Sequence, residues 1–151
     1  MELNQQIDFI EHLTTRPSMW VWRPSYDSIT AFLVGYDHAL HGGLLEGYRE
    51  WLTMKFGYGH NLAWPALLVI DALGEDALEL QQRSAQDEKL LLERLRESLT
   101  EYLRYRDQIG LRNVLFDHGV WLRKQHWFNE NVERFGTSTG IAPDSPDKPE
   151  D

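Results

Sequence analysis

The sequence predicts an all-α fold, a single-domain bundle of five to six helices followed by a disordered tail. Three observations carry this. Apolar residues recur at spacings of three and four along most of the chain. Pro17, Gly42-Gly43, "GYGHN" (57–61) and Gly110 punctuate those runs. No stretch alternates apolar and polar residues as a half-buried strand would.

Leu3, Ile7, Ile10 and Leu13 predict a first helix over about 2–14, which Pro17 stops. "RPSMWVWRP" (16–24) follows as a loop, because two prolines keep it from being an ordinary helix. Ser25 caps a second helix and Asp27 sits near its positive end. Its apolar face is Ile29, Phe32, Leu33, Tyr36, Ala39 and Leu40, and Gly42-Gly43 ends it in a left-handed turn. A third helix is expected from about Leu44 to Phe56, with Tyr48, Trp51, Leu52 and Phe56 buried. Asn61 is the expected cap of a fourth, "LAWPALLVIDAL", in which Pro65 falls in the first turn, where it costs little. That segment is apolar nearly all round and reads as the most buried helix. Residues 74–83 fit either a short acidic helix or a loop.

Ser84 and Asp87 resemble a capping box opening the longest helix, to about Gln108. Leu91, Leu92, Leu95, Leu99, Tyr102 and Leu103 line its inner side, with Glu88 on an exposed flank. Gly110 separates it from a last helix of about 111–127, facing inward through Leu111, Val114, Leu115, Val120, Trp121 and Leu122. The helical domain is drawn as 1–136. Residues 137–151, rich in Gly, Ser, Pro and Asp, read as a disordered acidic tail.

Composition narrows the function. There are no cysteines, which excludes disulfides, thiolate metal sites and cysteine nucleophiles. "MELNQQIDF" lacks the basic start and apolar core of a signal peptide, and "LAWPALLVI" is too short to span a bilayer, so a cytoplasmic protein off the membrane is expected. The net charge is −9, and residues 1–82 hold 11 acids against 4 bases. That balance argues against nucleic acid, whose phosphates need a basic face. It favours a cationic protein surface, whose encounter it would speed.

Catalytic patterns do not assemble. There is no Gly-x-Ser-x-Gly elbow, and "HGGLLEG" lacks the Lys-Ser/Thr of a phosphate loop. The chain is therefore read as no enzyme, with no cofactor and no metal ligand assigned. The alternative is a metal-dependent helical-bundle enzyme using His38, His41 and His118, with Asp37 or Asp117 behind them. His38 and His41 are three apart, as neighbours on one helical surface would be. A third reading is a structural or oligomeric protein with no ligand.

Aromatic residues are the informative class. Trp51, Trp64 and Trp121 fall on expected inward faces. Trp20, Trp22, Tyr58 and Trp127 fall in loops or at a helix end, where Trp and Tyr beside Arg are typical ingredients of protein-binding hot spots. Arg16-Pro17-x-Met19-Trp20, then Phe32-Leu33-x-Gly35-Tyr36, Trp51-Leu52, Asn61-Leu62-Ala63-Trp64 and Trp121-Leu122, cover roughly residues 5–128. This order resembles a group of small uncharacterised bacterial proteins, some of them similar to immunity proteins of antibacterial toxin systems. Ser18 stands where that group usually has Gly. The resemblance implies a binding protein, not an enzyme, and carries over no catalytic residue; taken with the acidic charge, it leads to the expectation of a protein that neutralises a toxin by direct binding, with a basic toxin domain as partner. The expected contact residues are Asp37, Glu46, Asp71, Glu75, Asp76 and Glu79, with Trp22 and Tyr58. Met19 and Trp20 are expected to plug the space between the first two helices, with Trp20 mostly buried and Trp22 more exposed.

Overall fold

A computed structural model describes residues 1–130, so the expected tail at 137–151 and the 136 boundary lie outside the described residues. Every regular element among them is helical: α1 Leu3–Thr15, α2 Tyr26–Ala39, α3 Tyr48–Phe56, α4 Trp64–Leu73, α5 Ala85–Ile109 and α6 Leu111–Arg123, with short 3-10 helices at Pro17–Met19 and Glu75–Glu79. The fold is all-α. Residues Met1–His118 form one compact unit, and a second begins at Gly119.

α5 is the spine of the first unit. It packs most extensively on α1 and also meets α4, α2 and α3. Its Leu91, Leu95, Leu99 and Leu103 repeat every four residues and are buried with Ile10 and Leu13 of α1, Ile29 and Leu33 of α2, Leu52 of α3 and Leu67 and Leu68 of α4. Trp51 and Trp64 are buried as expected. Three buried tyrosines bridge elements through their hydroxyls. Tyr26 donates to Pro65 O at 2.8 Å, Tyr48 shares a hydrogen bond with Ser98 Oγ at 2.5 Å, and Tyr102 donates to Glu46 O. Burial raises the pKa of all three, that of Tyr102 to about 12 against the opposing pull of Arg106.

Local signals place several helix ends correctly. Ser25 Oγ accepts the Ser28 N–H at 3.1 Å, and Ser84 Oγ accepts the Asp87 N–H at 3.1 Å. The α2 and α5 starts are also tied together. Glu88 Oε2 accepts the Tyr26 N–H at 2.5 Å, and buried Arg83 lies 3.0 Å from Asp27 Oδ1 and over the Tyr26 ring. Glu88 is thus turned inward, not out along an exposed flank.

Other boundaries differ. α4 opens at Trp64 with Ala63 as N-cap and Pro65 at its start, two residues later than expected from an Asn61 cap. The reason is that Arg49 holds residues 60–62 in a loop: its Nε donates to Leu62 O at 2.8 Å and its Nη2 to His60 O. α3 opens at Tyr48, not Leu44, from a left-handed Gly47. A Cβ there would meet Tyr102 Oη at 2.6 Å and Leu111 Cδ1 at 2.8 Å, so the chain passes where only glycine fits. α2 ends at Ala39, leaving Ala39 and Leu40 exposed. In α6 only Val114 is buried; Leu115, expected to face inward, is exposed, as is Phe116.

The second unit begins within α6, whose helix stops at Arg123, short of the expected 127. Trp121, expected in the core, is half-buried. The backbone is helical again over 126–130, where His126 lies 3.2 Å from Glu130 and the Trp127 and Phe128 rings meet edge to face. Among the described residues no helix is long and apolar enough to cross a membrane.

Candidate functional site

The expected contact residues fall into three places. The first is the turn between α2 and α3. Asp37 is half-buried, and its Oδ1 accepts the N–H groups of both Leu44 and Leu45 at 2.8 Å. Its carbonyl accepts from Gly42 N at 2.9 Å while His38 O accepts from His41 N at 3.1 Å. Those two bonds, with His41 left-handed at φ 55, form a Schellman ending for α2. The expected left-handed turn is therefore made by His41 with Gly42, whereas Gly43 is not left-handed. Arg106 completes the turn from α5: Nη1 donates to Leu44 O and Nη2 to Gly43 O, both at 3.1 Å. Asp37 is thus spent on its own backbone. Glu46 is exposed beside it, on an open cleft of about 530 Å³ with His41, Glu50 and Leu115.

The second place is the end of α4. Tyr58 is 40% exposed and its ring stacks on Phe56 at 5.8 Å, the two joined through left-handed Gly57. The Tyr58 hydroxyl has a raised pKa, first from partial burial and then from the carboxylates of Asp71 and Glu75. Asp71 also lies 3.4 Å from Arg94 Nε, an ion pair without the alignment of a hydrogen bond. Glu75, Asp76 and Glu79 follow on the 3-10 helix Glu75–Glu79, all exposed. Four of the six acids therefore lie on one stretch, 71–79, of which Asp71 and Glu75 act on Tyr58, while Asp37 and Glu46 belong to another turn.

The third is the loop 16–24. Trp22 is 92% exposed and Met19 75%. Trp20 does bridge the first two helices, edge-on to Phe9 at 5.4 Å and tilted against Phe32 at 5.8 Å. It nevertheless keeps 40% of its surface in solvent, and Met19 is no plug at all. The loop makes a 3-10 turn at Pro17–Met19, closed by Met19 N to Arg16 O and Trp20 N to Pro17 O, both at 3.0 Å, and the residue it packs against the core is Val21, not Met19.

The histidines of the alternative reading do not gather. His41 lies past the end of α2, so it shares no helical surface with His38. Among the described residues, no three His, Cys, Asp or Glu side chains are placed to hold a metal ion. His118 is half-buried, and its pKa is lowered by that burial, with Glu50 opposing and Arg49 adding to the shift.

Two residues that shape these places have no local signal: Arg106 and Arg49 act on carbonyls 63 and 13 residues away, and periodicity says nothing of such reach. Phe56, expected on the buried side of α3, is half-buried and carries the stacked Tyr58 ring. Compared with protein families, with curated proteins and with solved structures, the chain matches none.

Proposed function

We propose that this chain is a protein-binding module of the immunity type, which neutralises a basic toxin domain by direct binding. The observation that carries the reading is the stacked Phe56–Tyr58 pair beside Asp71 and Glu75. An aromatic face next to carboxylates suits an Arg or Lys side chain, through cation–π attraction and charge-assisted hydrogen bonds. Glu75, Asp76 and Glu79 extend the negative surface, and the net charge of −9 would speed encounter with a cationic partner. The order of landmarks from Arg16 to Leu122 adds the immunity-type resemblance. Asp37 supports the surface by holding the α2–α3 turn, with Glu46 exposed next to it.

The test is a pull-down with the product of the neighbouring gene, paired with survival of cells that express that product. A complex and protection are expected. Charge reversal at Glu75 and Asp76 should slow association about tenfold at low salt, and less at high salt. No complex and no protection would sink the proposal. Among the described residues no geometry favours the metal-dependent enzyme at His38, His41 and His118; elemental analysis of the purified protein tests it independently.

A further inference from the structure

Phe56 also walls a small cavity of about 150 Å³, together with Lys55, Asp71, Arg94, Glu97 and Glu101. Tyr58 stacks on Phe56 at 5.8 Å and continues that aromatic wall. The volume is that of about five waters at roughly 30 Å³ each. It admits the flat head of an arginine and lies below the roughly 300 Å³ at which pockets enclose whole small molecules. The fitting occupant is therefore one side chain. The charges of the walls do not balance: Asp71, Glu97 and Glu101 are three carboxylates, and Lys55 and Arg94 are two cations. Lys55 is engaged, hydrogen-bonded to Glu101 and placed 4.7 Å over the Trp51 ring. Arg94 is held less well. Its Nε lies 3.4 Å from Asp71 and its Nη1 4.0 Å from Glu97, neither contact is a hydrogen bond, and the buried Nε has no hydrogen-bond partner among the described residues. One guanidinium is stretched between two carboxylates and gives neither the aligned contact that makes such pairs strong.

We infer that this cavity takes an arginine side chain of the bound partner, and that Arg94 holds its place at Asp71 in the free chain. A partner's arginine is not tied to α5. It can turn both prongs of its fork to Asp71 while its plane rests on the Phe56–Tyr58 wall. Arg94 then keeps Glu97, three residues along its own helix, and the three carboxylates of the cavity meet three cations. Lysine fits worse, because its ammonium is a strongly hydrated point charge with neither fork nor flat face. The inference rests on the protein-binding reading above and adds to it the side chain recognised and the residue that competes for it.

The first test needs no partner. N-acetyl-arginine methylamide is titrated into the full chain while nuclear magnetic resonance follows the Tyr58 ring and the Arg94 Nε–H. Saturable millimolar binding is expected at both, with N-acetyl-lysine methylamide at least about threefold weaker. Asp71→Asn should weaken arginine binding about tenfold, and Arg94→Met should tighten it about threefold by removing the competitor. Both variants should melt close to wild type, since a partly exposed ion pair contributes little to stability. A wild-type chain with no saturable shift would overturn the inference, as would a lysine analogue bound equally well or an Arg94→Met variant that binds more weakly. The second test is dissociation of the complex with the neighbouring gene's product. Asp71→Asn should speed it about tenfold and Arg94→Met should slow it, whereas charge reversal at Glu75 and Asp76 acts on association. A complex whose dissociation ignores both changes overturns this inference and leaves the protein-binding reading standing. Arginine bound in the first test, with no complex in the second, overturns the immunity reading and leaves the arginine socket.

Discussion

Asp37→Ala removes the acceptor of two backbone N–H groups, those of Leu44 and Leu45, each at 2.8 Å. Leu44 is fully buried, so its N–H finds no ready water in exchange. A hydrogen bond to a charged group contributes about 1.5–3 kcal/mol, and the half-exposed carboxylate puts both bonds at the low end, for a loss of about 3 kcal/mol. In a chain of this size that is a fall in Tm of about 10 °C. Asp37→Asn keeps one side-chain oxygen in place and loses only its charge, so it should cost about 1 kcal/mol and about 4 °C. The assay is thermal and urea unfolding followed by far-ultraviolet circular dichroism, with the urea midpoint falling and the slope unchanged. If the alanine variant melts within about 2 °C of wild type, the carboxylate does not hold this turn. A variant that stays fully stable but loses partner binding would return Asp37 to the contact surface.

Three further outcomes follow from named contacts. Gly47→Ala should lose about 3 kcal/mol or more in the same melts, from left-handed strain plus a Cβ driven into buried Tyr102; an unchanged Tm would refute the packing there. His41→Gly should raise Tm by a few degrees, since glycine relieves about 1–2 kcal/mol of left-handed strain and gives back part of it as unfolded-state entropy. His118 has a folded pKa below its ordinary 6.5, so between those values the unfolded chain binds more protons than the folded one. Stability should therefore fall as pH drops from about 6.5 through the folded value, and His118→Gln should flatten that part of the profile. An identical profile for the variant would rule the histidine out.

Much of the fold was legible because its causes are local. The i, i+4 leucines of α5, the Ser25 and Ser84 caps, and Pro17 and Gly110 all act within a turn or two of themselves. The missed boundaries share one cause, a distant side chain that satisfies the loop's backbone. Asp37 and Arg106 hold residues 43–45 between α2 and α3, and Arg49 holds 60–62 ahead of α4. Such bonds let a loop persist where periodicity alone continues a helix. α6 misled for another reason. Its apolar residues repeat at helical spacing, yet only Val114 is fully buried, with Leu111, Val120, Trp121 and Leu122 partly covered and Leu115 exposed.

The candidate surfaces divide in the same way. Residue types alone determined that the chain is acidic, thiol-free, all-α and rich in loop aromatics, since these depend on composition and short-range spacing. Only the tertiary structure decided which acids remain available. It spends Asp37 on a turn, pairs Asp71 with Arg94, and leaves Glu75, Asp76 and Glu79 exposed, Glu75 with Asp71 raising the pKa of Tyr58. It also separated two tryptophans two residues apart, setting Trp20 against Phe9 and Phe32 and leaving Trp22 in solvent. The physical reason is that exposure and pairing depend on neighbours brought from other helices, which no single segment encodes.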